Sequence, residues 1–129
     1  MKLIRHHELQ DAGARLRVLE LPNDADPLQL ANKLPDIDRV DLHFPKFSDG
    51  RAFSQAWLLR RRMGFTGEIR ATGDVLIDQL LQMQRSGFTE AVLREDQDAA
   101  HGTRLLEGFD GFYQGDIASV KPRFALQAA

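Results

Sequence analysis

Four short apolar segments recur at even intervals along this chain, and each is followed by a stretch with helical spacing. The segments are Leu16–Leu21, Val40–Phe44, Glu68–Ala71 and Glu90–Leu93. Short apolar runs bounded by charged or turn residues suit buried parallel strands. Strands and helices in strict alternation pack as a parallel sheet with right-handed crossovers. The pattern therefore predicts an α/β fold, βαβαβαβα, around a four-stranded, mainly parallel sheet. Such even units correspond to half of a (β/α)₈ barrel, with a small open doubly wound sheet as the alternative.

Helix signals fill the intervals. Asp26 and Pro27 supply a cap and a first-turn proline, Leu30, Ala31 and Leu34 an apolar stripe, and Pro35 a stop. A second helix is expected from Ser48 or Asp49, carrying Ala52, Phe53, Ala56, Trp57, Leu59 and Met63 before Gly64. A third is expected from Asp74 to Gly87, with the Asp74 carboxylate as its cap, and a fourth from about Asp98. No linker divides the chain, so residues 1–129 are expected to form one domain. Its core spans about 15–113, and a loosely ordered tail covers 114–129.

Composition removes whole classes of function. With 129 residues, 43% of them apolar and 28% charged, the chain has material for one ordinary core. A net charge of −2 gives no general pull toward nucleic acid or an anionic membrane. No apolar run approaches the roughly 20 residues needed to cross a bilayer. Met1–Arg5 is followed by His6, His7 and Glu8, which leaves no signal-peptide core, so a cytoplasmic location is expected. The chain has no cysteine, which excludes thiol nucleophiles, disulfides and cysteine-held metals. Any redox chemistry would need a borrowed cofactor or a partner.

In parallel α/β folds the loops at the C-terminal strand ends gather ligands. Here those loops carry Pro45–Arg51 after the second strand, Arg70–Asp74 with Asp78 after the third, and Arg94–Asp96 after the fourth. Lys46, Ser48, Asp49, Arg51, Arg70, Asp74 and Asp78 form the candidate anion- or partner-binding rim. Lysine between two phenylalanines, followed by Ser-Asp-Gly-Arg at a helix start, joins cations to free backbone N–H groups. The plainer reading of the same residues is a helix cap with an Asp–Arg pair. Asp74 and Asp78, one helical turn apart, could share a metal or divide acid and base roles. Their plainer reading is a cap and a solvated neighbour. The four histidines show no ligand spacing, so no metal centre is expected. Arg60-Arg61-Arg62 reads as the wet face of a helix. Dinucleotide, phosphate-loop and serine-elbow motifs are all missing, so no cofactor is implied and catalytic residues are unassigned.

Two long stretches resemble a known family. Phe44-Pro45-Lys46-Phe47-Ser48-Asp49-Gly50-Arg51-Ala52-Phe53-Ser54-Gln55-Ala56 is followed by Gly67 through Leu80 and by Ser86-Gly87-Phe88. They are similar to the bacterial domain of unknown function 934, over about Arg15 to Tyr113. Members tend to be encoded beside sulfite reductase and are often labelled oxidoreductases of sulfite reduction. The resemblance implies a role near assimilatory sulfite reduction. Family members often carry Cys-Gly-Phe where this chain has Ser86-Gly87-Phe88, and Gly-Tyr at Ala52-Phe53. Many also have a longer segment before the first strand, so an N-terminal element is expected to be lacking.

Two expectations follow. The first is an accessory protein that docks to sulfite reductase or its electron supply through the charged rim. The second is an enzyme or small-molecule binder, an oxidoreductase of sulfur assimilation, that uses the rim for an anion or cofactor. Open sheet edges add the expectation of a homodimer or a protein partner.

Overall fold

The structure, a computed structural model, describes residues 1–6 and 16–108. The expected core limits at 15 and 113, and the tail at 114–129, lie outside the described residues. Among the described residues five strands form one open sheet: β1 (Lys2–Arg5), β2 (Val18–Leu21), β3 (Arg39–Phe44), β4 (Glu68–Gly73) and β5 (Glu90–Leu93). Their order is β1-β5-β4-β3-β2 and every neighbouring pair is parallel. The helices are α1 (Arg51–Trp57), which runs on into a π-helical turn Leu58–Arg62, then α2 (Leu80–Ser86) and α3 (Ala99–Gly108). Among the described residues no helix is long and apolar enough to cross a membrane.

The sheet thus has five strands where the sequence pattern predicts four, and it is an open sheet. The added strand, Lys2–Arg5, pairs in register with Glu90–Leu93 from far along the chain. Only Leu3 and Ile4 are apolar within it, so nothing local announces it. The helix expected after Pro27 is replaced by two 3₁₀ turns, Pro27–Leu30 and Leu34–Asp36. Asp26 does cap the first, accepting from the Leu28 N–H at 3.0 Å. Pro35 has no N–H with which to continue an α-helical ladder back to Ala31, so the segment breaks into tight turns.

Strand alternation gives the sheet two unlike faces. Leu3, Ala91, Ala71, Leu42 and Leu21 stand in register across all five strands. That row faces the helices, because the Gly102 backbone of α3 sits directly against Leu3 and Leu80. Val40, Leu42, Phe44, Ile69 and Ala71 are fully buried there. Phe44 and Phe53 meet edge to face at 5.1 Å, and Phe88 completes the cluster 5.8 Å from Phe44. The next row on the opposite face is Lys2, Glu90, Arg70, Asp41 and Glu20. Two ion pairs lie buried on this face, Arg39–Asp41 and Arg70–Glu90, each at 2.7 Å.

The arginine run divides three ways instead of forming one wet face. Arg60 turns inward and donates to the carbonyls of Gly87, Phe65 and Gly67 at 3.0, 2.8 and 2.7 Å. Arg61 lies over the exposed Trp57 ring, 4.9 Å from its centre. Arg62 stays in solvent.

Gly73 ends β4 with φ of 93°, and a side chain there would collide with the Phe44 carbonyl oxygen and the His43 ring. Left-handed backbone costs a β-carbon residue ~1–2 kcal/mol, and forced contacts add ~1–3. Gly73→Ala is expected to lower unfolding free energy by at least ~2 kcal/mol in urea titrations, whereas exposed Gly108→Ala should change it little.

Candidate functional site

Because all strands run parallel, the loops after β2, β3, β4 and β5 open on one edge. A chain of side-chain bonds ties them together. Asn23, after β2, donates to Asp49 Oδ2, after β3, at 2.7 Å. Gln55 of α1 pins the same β2 loop by donating to the Pro22 and Ala25 carbonyls at 2.8 and 2.9 Å. Asp74, after β4, accepts from the Phe47 backbone N–H at 2.8 Å, and Gln79 donates to the Phe47 carbonyl. Arg94, after β5, donates to Asp74 at 2.7 Å and grips both oxygens of Asp96. Gln97 accepts from the Ile77 N–H at 2.9 Å.

The centre of this network is Phe47. Its N–H and its carbonyl are both held by side chains from beyond β4, and the residue itself is 50% exposed. Asp49 N–H donates to the Lys46 carbonyl at 2.9 Å and closes the turn beneath it. Loop backbone is thus immobilised while an aromatic ring and the adjacent Lys46 stay in solvent. The Lys46 side chain has no hydrogen-bond or ion-pair partner among the described residues.

Electrostatically the rim is largely self-compensated. Arg51 binds both oxygens of Asp49, and its side chain and backbone N–H hold that carboxyl down to about 2. The Arg94 guanidinium, and then the Phe47 N–H, lower Asp74 below the usual carboxylate value of 3.8. Arg94 also lowers Asp96, and its own proton is held more tightly by Asp96 and Asp74.

Of the seven sequence-predicted rim residues, Lys46, Ser48, Asp49 and Asp74 lie on these loops, Arg51 opens α1, and Asp78 sits in a 3₁₀ turn beyond β4. Arg70 does not join them. β4 continues to Gly73, so Arg70 sits mid-strand on the face away from the helices, 5% exposed and paired with Glu90. Alternation requires this: Ile69 and Ala71 face the helices, so the residue between them points the other way. Asp74 is not the cap of a helix either. The chain after it makes a 3₁₀ turn, Ile77–Gln79, before α2, so Asp74 and Asp78 are not helical neighbours. Asp78 is exposed in that turn. Among the described residues no three His, Cys, Asp or Glu side chains are grouped so as to hold a metal ion. Asn23, Gln55, Gln79 and Gln97 carry much of the network and were missed, since neutral amides give no charge or motif signal. Ser86, at the position where the resembled family often has cysteine, is buried and bonds to the Gln82 carbonyl at 2.8 Å, so that position lies away from the rim.

Fold and rim together define a small parallel α/β protein whose strand-end loops are locked into one belt. The chain belongs to the DUF934 family, described as bacterial proteins of unknown function, whose model matches residues 18–124. No curated protein and no solved structure matches it significantly.

Carboxylates lowered by folding stabilise the fold fully above their ordinary value, and that contribution is lost as pH falls through the folded one. The belt is therefore expected to hold at neutral pH and to loosen as pH drops below about 3.8 toward 2. Carboxyl titration by NMR should place Asp49 near 2. Asp74→Asn should speed hydrogen exchange at the Phe47 amide roughly tenfold at pH 7, because a charged acceptor becomes a neutral one.

Proposed function

We propose that this protein is a non-catalytic accessory of assimilatory sulfite reduction, acting in the cytoplasm. It docks to sulfite reductase or its electron-supply partner through the Lys46–Phe47 loop. One observation carries the docking role: the Phe47 backbone is clamped on both sides by Asp74 and Gln79 while the residue itself stands half exposed beside the unpaired Lys46 side chain. An aromatic held on immobile backbone loses little conformational freedom on binding, the condition under which one ring contributes most to an interface. Lys46 adds a cation that selects an acidic partner surface. The sulfite setting rests on the family resemblance alone.

The alternative, an anion- or cofactor-binding oxidoreductase on the same rim, draws less support. Arg51 and Arg94 already have carboxylate partners, and Arg70 stands inside β4 paired with Glu90. A homodimer belongs to the proposal as well, with β1 and β2 as the open sheet edges.

Titration against purified sulfite reductase and its electron donor by biolayer interferometry tests the docking role. Phe47→Ala and Lys46→Glu should each weaken binding, the first roughly thirtyfold. Lys33→Glu, exposed on the far side of the strands, should have no effect. Wild-type affinity in both rim variants, or no binding by the wild type, would refute it.

A further inference from the structure

A concavity lies at the opposite, N-terminal edge of the strands. It is a half-open groove of about 610 Å³ between the two 3₁₀ turns and the end of α1's π-helical extension. Its apolar walls are Leu28, Ala31, Leu34, Ile37, Met63 and Phe65. That size falls within the ~300–1,000 Å³ typical of small-molecule sites. Three features argue that the groove is built, and is not merely a packing defect.

The first is its floor. Phe65 and Gly67 are fastened from behind by Arg60, whose guanidinium donates to both carbonyls and lies 5.7 Å from the Phe65 ring centre. A side chain at Gly67 would strike the Asp38 carbonyl and the Phe65 ring, so the floor admits no filling from beneath. The second is its wall. The Met63 N–H bonds to the Leu58 carbonyl at 3.0 Å, a π-type step that inserts one extra residue into the helix end. Such insertions strain a helix and recur at functional sites. Arg62 and Met63, at the end of this π-helical turn, both line the groove.

The third is its charge. Two ionisable residues are among those that line the groove, Asp38 and Arg62. Asp38 is already compensated, because Arg17 donates to it from its backbone N–H at 2.8 Å and from its side chain at 3.5 Å. Arg62 is exposed and has no hydrogen-bond or ion-pair partner among the described residues. A groove with these apolar residues along it and one unpaired arginine among its lining is complementary to a molecule that has an apolar body and one anionic end. We infer that this groove binds a small amphipathic organic anion, a carboxylate or sulfonate on an aliphatic or aromatic body. Leu28, Ala31 and Met63 cover the body and Arg62 receives the anion.

The groove is remote from the Lys46–Phe47 rim, so its test is independent of the docking proposal. The probe is 8-anilinonaphthalene-1-sulfonate, followed by fluorescence, with dodecanoate and dodecyltrimethylammonium as competitors. One equivalent of probe should bind, and dodecanoate should displace it while the cation does not. Arg62→Glu should raise the probe's Kd at least tenfold, and Ala31→Trp, which fills the trough from an exposed position, should abolish binding. Lys46→Glu should leave binding unchanged. Circular dichroism melts of the variants should match the wild type. No saturable binding, equal displacement by the cation, or unchanged affinity in well-folded Arg62→Glu and Ala31→Trp would each overturn the inference.

Discussion

The placement of the loops in this molecule depends on the parallel pairing of all five described strands. A parallel neighbour can be reached only by carrying the chain back across the sheet, and that return consumes a helix or a set of turns. Every return therefore starts from the same edge. Loops separated widely in sequence, those holding Asn23, Phe47, Asp74 and Arg94, become neighbours without any one of them being unusual. The opposite edge inherits the complementary set of loops, and there the 3₁₀ turns and the π-helical ending of α1 flank the groove.

The rim shows how a loop can be made rigid without being buried. A backbone segment on the surface ordinarily satisfies its N–H and C=O groups with water and keeps its freedom. Phe47 has both groups satisfied by side chains anchored on a different crossover. Arg94 then fixes Asp74, and Asp96 fixes Arg94, so the anchor is itself anchored. Salt bridges this exposed contribute little to stability one at a time. Their effect here is on geometry: they hold the loop in one conformation ahead of any encounter.

The strands of the central sheet were legible because β3, β4 and β5 are apolar at alternate or successive positions. β1 was not, since its pairing partner lies near the other end of the described chain. Asp98 was readable as a helix start, and it does accept from the Ala100 N–H at 3.0 Å. Asp74 carried the same signal and the structure uses it otherwise: an aspartate before an apolar run caps a helix only if the helix begins there. Here the Phe47 N–H, far away in sequence, supplies the better donor. Arg70 was misplaced for a simpler reason. The apolar run stops at Ala71, whereas β4 continues two residues further to Gly73, which makes Arg70 a mid-strand residue. The Asp49–Arg51 pair matches the plainer of the two readings offered for that loop.

The charged row on the far side of the sheet has a consequence for how the chain finds its native alignment. Sliding β4 by one residue past its neighbours would carry Arg70 into the oily layer beneath the helices and strand Glu90 without its cation. Uncompensated charge of that kind is penalised far more heavily than a poorly fitting methyl group. Leu, Val and Ala are nearly interchangeable in such a sheet and would tolerate several offsets. The ionic row instead acts as a proofreading device, accepting one alignment of the strands and rejecting those shifted by one step.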